Sequence, residues 1–119
     1  MHELLLVEEH PILRAAMAFA LRREEFVVYT AGDTIGALAL LGKHVAIAVV
    51  VVEVQFGLAS ADGFVFAASV RALHADIGII FLTGRADLLI GRVAGAHEAH
   101  LIKPCPTARI VAAIRRLLP

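Results

Sequence analysis

The stretch that decides the fold is Val45-Ala46-Ile47-Ala48-Val49-Val50-Val51-Val52-Glu53-Val54. Its first eight residues are all apolar and mostly β-branched, which is too short a run to cross a membrane and too hydrophobic for a surface helix. Such a run is typical of a strand that is buried on both faces of a parallel sheet. It ends at the carboxylate of Glu53, and polar residues and glycines predict a loop after it. Chemistry in open α/β sheets lies outside the carboxyl ends of the strands, so Glu53 is the first candidate functional residue.

The length and composition indicate one globular domain over residues 1–119. A single cysteine, Cys105, excludes an internal disulfide, and the N-terminus carries no export signal, so we expect a cytoplasmic protein. The formal net charge is zero, which argues against binding to nucleic acid, and no apolar run is long enough for a membrane span. We expect no DNA-binding or enzymatic output domain, because the sequence ends after the last predicted helix.

Strand-like and helix-like segments alternate along the whole chain. The pattern predicts five strands, at 3–7, 26–30, 45–54, 76–82 and 98–102, and five helices, at 11–23, 35–41, 63–74, 86–94 and 106–118. The first helix is expected to leave Arg14, Arg22 and Arg23 in solvent. Its apolar positions, which are expected to face inward, are Ile12, Ala15, Ala16, Phe19 and Ala20.

Strict alternation of strands and helices predicts right-handed crossovers and a doubly wound α/β fold with a parallel sheet. For a small doubly wound sheet, we expect the flavodoxin-like strand order 2-1-3-4-5, in which the first and third strands are neighbours. That order brings Glu8 and Glu9, which follow the first strand, to the same edge as Glu53. Thr83 and Lys103 follow the fourth and fifth strands and join them at this edge.

Five features at the ends of these elements occur together in a known family. They are Glu8-Glu9, Glu53, Gly63, Thr83-Gly84 and Lys103-Pro104. In these features and over its whole length, the chain resembles the receiver domain of bacterial two-component response regulators, which is the CheY-like domain. The resemblance implies a role in phosphorelay signal transduction and no enzymatic activity of its own.

The resemblance also implies a role for each residue at this edge. Glu53 stands at the position that accepts a phosphoryl group, and Thr83 and Lys103 stand where the family contacts the phosphoryl oxygens. A Mg²⁺ cofactor would be held by carboxylates among Glu8, Glu9 and Glu53, together with the main-chain carbonyl of Gln55. Thr83 and His100 stand at the switch positions, and the Lys103-Pro104 peptide is expected to be cis.

The chain departs from the family at its acidic positions. The family usually has Asp-Asp or Glu-Asp as the acidic pair and Asp as the acceptor, whereas all three positions are Glu here. Each Glu adds one methylene, about 1.5 Å, which is comparable to the tolerance of Mg²⁺ coordination and in-line attack. We expect Glu53 to reach toward Thr83 and Lys103 and to be either inert or an imitation of the phosphorylated state. A second departure is His100, since the family commonly has Tyr or Phe there. The sequence thus predicts a degenerate receiver that acts through protein–protein contact.

Two alternatives stay open. The first is an active receiver that a histidine kinase phosphorylates on Glu53 with Mg²⁺. The second is a flavodoxin-like, cofactor-binding enzyme, against which stands the lack of a glycine-rich phosphate loop after the first strand. The expected partners are a histidine kinase or phosphotransfer protein at the first helix and a second copy of the chain at the fourth and fifth helices, with neither nucleic acid nor membrane.

Overall fold

The computed structural model describes residues 1–55 and 62–119, apart from the side chain of Asp62. Part of the loop predicted after Glu53 therefore lies outside the described residues. The strands are β1 (Glu3–Val7), β2 (Val27–Ala31), β3 (Ile47–Glu53), β4 (Gly78–Thr83) and β5 (Glu98–Ile102). The α-helices are α1 (Pro11–Arg22), α2 (Thr34–Lys43), α3 (Asp62–Leu73) and α4 (Thr107–Leu117).

The five strands form one parallel sheet in the order β2-β1-β3-β4-β5, which confirms the predicted topology. The central strand β3 is buried on both faces, as its apolar run predicts. Its residues alternate between two cores, with Val49 and Val51 on the side of α1 and α4, and Val50 and Val52 on the side of α2 and α3. Both faces of the sheet are therefore covered by helices, which is the doubly wound arrangement.

Short-range chemistry sets where the helices begin. Pro11 opens α1, where its missing N–H costs no helical hydrogen bond. Asp33 caps α2, because its carboxylate accepts a hydrogen bond from the Gly36 N–H at 2.6 Å. At the start of α3, the Gly63 N–H donates to the Val54 carbonyl at 2.8 Å, which joins the helix to the end of β3.

The prediction of a fourth α-helix at 86–94 is wrong. The structure has a single 3₁₀ turn over Ala86–Leu89 there, so the described part of the chain holds four α-helices rather than five. The preceding residue, Arg85, offers no side-chain cap, and Gly91 adopts a φ of +79°, which an α-helix does not contain. Beyond the turn, Ile90 and Val93 are exposed. The dimer surface predicted on the fourth and fifth helices thus has only one helix, α4, and stays a prediction.

Among the described residues, no helix combines the length and the apolar character that crossing a bilayer requires. The cytoplasmic location expected from the sequence stays a prediction.

The close contact at Gly63 leads to a stability prediction. A methyl group at this position would overlap the carbonyl oxygen of Glu53 and would lie 2.7 Å from the Cα of Val54. Because these are backbone atoms of a buried strand end, they cannot move aside without cost. We expect Gly63→Ala to lower the free energy of unfolding by about 2 kcal/mol in urea denaturation.

Gly42 provides the matched control, because a methyl group there meets no atom within 4 Å. Gly42→Ala should raise stability by about 0.5 kcal/mol, since alanine favours a helix interior. Equal effects of the two substitutions would contradict the packing argument.

Candidate functional site

The carboxyl ends of β1, β3 and β5 bring three charged side chains into direct contact. Lys103 follows β5, and its Nζ donates a hydrogen bond to Oε1 of Glu8 at 2.7 Å. The same Nζ lies 2.9 Å from Oε2 of Glu53. The main-chain N–H of Lys103 donates to the Thr83 carbonyl at 2.8 Å, which continues the pairing of β4 with β5 to this point. One ammonium is therefore shared by two carboxylates.

The three partners differ in their exposure to solvent. The side chain of Glu8 is 2% exposed, that of Glu53 is 12% exposed and that of Lys103 is 23% exposed. The Oε2 atom of Glu53 is fully buried and accepts no well-aligned hydrogen bond from the described residues. Its 2.9 Å contact with Lys103 is therefore an ion pair without hydrogen-bond geometry.

Lys103 stays charged in this environment. Burial lowers the pKa of the Lys103 ammonium, but its close contacts with the carboxylates of Glu8 and Glu53 outweigh burial and raise that pKa above its usual 10.5. Glu8 and Glu53 thus place two carboxylates on this one ammonium.

A polar cavity of about 260 Å³ opens above this ion pair. Its lining is Glu9, His10, Glu53, Gln55 and Lys103, whereas Glu8 is buried beneath it. The two adjacent glutamates therefore separate, with Glu8 directed at Lys103 and Glu9 at the cavity.

The cavity offers donors of the kind that Mg²⁺ prefers. Glu9 and Glu53 supply carboxylate oxygens, and the main chain of Gln55 supplies a carbonyl. Mg²⁺ is commonly bound through one or two carboxylates with waters completing the octahedron, and the buried Oε2 of Glu53 has unused acceptor capacity. Within residues 1–55 and 62–119, no three His, Cys, Asp or Glu side chains cluster closely enough to hold a metal by themselves. Glu9, Glu53 and Gln55 thus offer the oxygen ligands that Mg²⁺ prefers, whereas Glu8 binds Lys103.

Thr83 lies at the same edge but makes a different contact from the one expected. Its side chain is fully buried, and its Oγ1 accepts a hydrogen bond from the Arg85 N–H at 3.0 Å. Of the two residues that Glu53 was expected to approach, Lys103 is its partner, and the hydroxyl of Thr83 anchors the 3₁₀ turn instead.

His100 lies apart from the acidic cluster. Its ring meets Phe81 edge-on, with centroids 5.6 Å apart, on the face of the sheet that packs against α3. It also lines a separate cavity of about 210 Å³ together with Phe64 and Arg92. Its predicted switch role stays a prediction. The Lys103-Pro104 peptide is cis.

Arg14 belongs to the site although it was expected to lie in solvent, and that expectation is wrong. Its Nη1 donates to the Glu8 carbonyl at 2.9 Å. A signal for this was present in the sequence, because Arg14 precedes the buried Ala18 and Leu21 by four and seven residues. That spacing places it on the inward face of α1.

The buried ion pair leads to a prediction about Lys103. Lys103→Met leaves the carboxylate of Glu8 buried without a cation, and we expect a loss of about 3 kcal/mol in the free energy of unfolding at neutral pH. The folded-state pKa of Lys103 lies above its ordinary value of 10.5. The pair therefore stabilises the fold fully below pH 10.5, and this stabilisation is lost as the pH rises through the folded-state pKa. The difference between wild type and variant, measured by urea denaturation, should therefore narrow in alkaline solution.

The control is Lys43→Met, which changes the only other lysine, an exposed one at the end of α2. The double variant Glu8→Gln/Lys103→Met should recover part of the stability, because it removes both charges. If Lys103→Met is no less stable than Lys43→Met, the ion pair does not stabilise the fold as predicted.

Comparison with known proteins identifies the family and the fold. Residues 4–115 match the family described as the response regulator receiver domain. No curated protein matches the chain. Many solved structures do match, and those described next share the fold.

Three of them are receiver proteins of bacteria. A response regulator receiver domain protein of Clostridium thermocellum is 19% identical, with a TM-score of 0.86, covering 98% of this chain and 94% of that one. The response regulator TrrA of Thermotoga maritima, solved in complex with Mg²⁺ and BeF, is 19% identical, with a TM-score of 0.85 and coverage of 99% and 100%. The chemotaxis protein CheY4 of Vibrio cholerae is 23% identical, with a TM-score of 0.83 and coverage of 99% of both chains.

Receiver domains are in general signalling modules rather than enzymes. Because the family match covers residues 4–115 and the sheet has the strand order β2-β1-β3-β4-β5, the chain belongs to the response regulator receiver domains of two-component signal transduction.

Proposed function

We propose that this receiver domain signals through protein–protein contact without phosphoryl transfer to Glu53. The observation that carries the proposal is the position of the Lys103 ammonium, 2.7 Å from Glu8 and 2.9 Å from Glu53. The cation that would neutralise an incoming phosphoryl group is already engaged by two carboxylates. Phosphoryl transfer depends on positioning and on neutralising charge, so both requirements are harder to meet here.

The length of Glu53 acts in the same direction. Its additional methylene moves the carboxylate by about 1.5 Å relative to an aspartate on the same backbone. A displacement of this size is enough to reduce an in-line reaction by orders of magnitude. The carboxylate is held by Lys103 at the far end of that longer side chain, which supports an unreactive ion pair.

The contacts favour an inert Glu53 over a full imitation of the phosphorylated state. Such an imitation would engage both Lys103 and Thr83, and Glu53 has the first of these as its partner. The Thr83 hydroxyl accepts from the Arg85 N–H instead. We therefore propose that Glu53 serves as the permanent counter-ion of Lys103.

The experiment is incubation with acetyl phosphate and MgCl₂, followed by intact mass spectrometry. We expect the wild-type protein to keep its mass, because Glu53 is misplaced for attack. Glu53→Asp should gain one phosphoryl group, since the shorter side chain withdraws from Lys103 and restores the acceptor.

Glu53→Gln is the control, because it preserves the length and removes the nucleophilic carboxylate. A stoichiometric phosphoryl group on wild-type protein that is missing from Glu53→Gln would contradict the proposal. That result would establish the second candidate, an active receiver.

The cavity above the ion pair is the observation that favours this second candidate. Glu9, Glu53 and the Gln55 carbonyl would hold Mg²⁺, which when bound neutralises phosphoryl charge. In that case Lys103 supplies a second positive charge on the opposite side, and Glu8 fixes the position of the ammonium.

For the partner, we propose a histidine kinase or phosphotransfer protein that binds at α1. This helix buries Ala18 and Leu21. The inward face expected from the sequence is wrong for Ile12 and Phe19, which are 86% and 64% exposed on the outer face of the helix. A contiguous exposed apolar face is typical of a protein-binding surface. Its spacing of seven residues matches an interaction with a partner helix.

Substitutions on α1 test this partner surface. Ile12→Glu and Phe19→Glu should each weaken binding to a cognate histidine kinase or phosphotransfer protein at least about tenfold, because a charge replaces an apolar anchor. The measurement is biolayer interferometry with the purified kinases and phosphotransfer proteins of the source organism. Ile35→Glu on α2 is the matched control, since Ile35 is similarly exposed, at 81%. If Ile35→Glu weakens binding and the α1 variants do not, the partner surface lies on α2.

A further inference from the structure

The guanidinium of Arg14 occupies a narrow space between two loops at the acidic edge. Its Nη1 donates to the Glu8 carbonyl at 2.9 Å and makes a longer 3.5 Å contact with the Glu9 carbonyl. On its other side is Gly32, where an added Cβ would come within 2.6 Å of the same nitrogen. The absence of a side chain at position 32 therefore makes room for the guanidinium.

We propose that Arg14 is a positioning residue, which fixes the main chain at Glu8 and Glu9 so that one carboxylate meets Lys103 and the other faces the cavity. The peptide groups of Glu8 are held on both sides, because its N–H donates to the Ala31 carbonyl at 3.0 Å while its carbonyl accepts from Arg14. With both groups fixed, the direction of the Cα–Cβ bond of Glu8 is fixed as well. Its carboxylate then reaches Lys103 at 2.7 Å.

The burial of Glu8 gives such a device a purpose. A buried carboxylate needs a cation, and Lys103 supplies it while the Glu8 side chain stays directed inward, where the His10 N–H also makes a longer 3.4 Å contact with its second oxygen. A guanidinium remains charged at every accessible pH and forms charge-assisted hydrogen bonds to carbonyl oxygens. The inference rests on the site proposed above, but not on the outcome of phosphoryl transfer, because the contact between Glu8 and Lys103 exists without it.

The test uses the fact that the chain contains two lysines, Lys43 and Lys103. Labelling lysine side chains with ¹⁵N at Nζ gives a spectrum in which the ammonium of Lys103, held by two carboxylates, exchanges its protons slowly. Exposed Lys43 serves as the internal reference. We expect Arg14→Gln and Gly32→Ala each to raise the proton exchange rate of the Lys103 ammonium about tenfold, since a lost charged hydrogen bond corresponds to a factor of that size. Gly32→Ala displaces the flexible end of Arg14, whose atoms are the three nearest to the added methyl group.

Two controls separate positioning from general stabilisation. Arg22→Gln removes a guanidinium of the same helix that donates to the Val28 carbonyl at 2.6 Å, away from the acidic edge. Gly42→Ala adds a methyl group in open space. The proposal holds if both test variants speed exchange at Lys103 and neither control does. Any other pattern overturns it, and if Arg14→Gln does not fold, the pair Gly32→Ala and Gly42→Ala decides alone.

The outcome is independent of the acetyl phosphate experiment. A wild-type protein that accepts a phosphoryl group would remove the proposed inert role of Glu53 and leave the exchange result in place. A Lys103 signal that ignores Arg14 would remove the positioning role and leave the question of phosphoryl transfer untouched.

Discussion

The structure depends on one ammonium that two carboxylates share. Glu8 is almost completely buried, and a buried carboxylate without a cation costs several kcal/mol. The cation comes from Lys103, 95 residues later in the chain, and it arrives at the end of β5 while Glu8 stands at the end of β1. These two strands are not neighbours, because β3 and β4 lie between them in the sheet. The ion pair therefore tests the register of β1, β3, β4 and β5, since a slip in any of the three strand pairs that they form would separate its partners.

The same interaction limits what the site can accept. An anion that enters the cavity beside Glu9 and Glu53 meets a Lys103 ammonium that two carboxylates already engage. Entry of a phosphoryl group therefore requires either a divalent cation or the release of Lys103 from a carboxylate. Releasing Lys103 from Glu8 is costly because Glu8 is buried. The contact that would have to break is therefore the one between Lys103 and Glu53. The chemistry of the site thus depends on the strength of the contact between Glu53 and Lys103.

The sequence was sufficient for the sheet, because an eight-residue apolar run and strict alternation leave few topologies. It was insufficient where local spacing and backbone conformation disagree, as in the segment after Arg85, where Gly91 leaves the helical region despite helix-like spacing around it. It kept both Glu8 and Glu9 among the candidate Mg²⁺ ligands, since adjacency in the chain does not reveal which side chain turns inward. Arg14 was missed because a charged residue was assumed to face water, although its spacing from Ala18 and Leu21 pointed inward. With membership of the receiver family, the flavodoxin-like cofactor-binding alternative loses its support.

Binding at α1 and the state of the acidic edge are not independent in this fold. The helix begins at Pro11, directly after the loop that carries Glu8 and Glu9, and its first turns hold both Ile12 and Arg14. Ile12 faces outward, whereas Arg14 reaches back to the carbonyl of Glu8. A partner that displaces this turn must also move the guanidinium, and with it the peptide that directs Glu8 toward Lys103. Through these contacts, a partner bound at the proposed α1 surface would alter the position of the buried carboxylate.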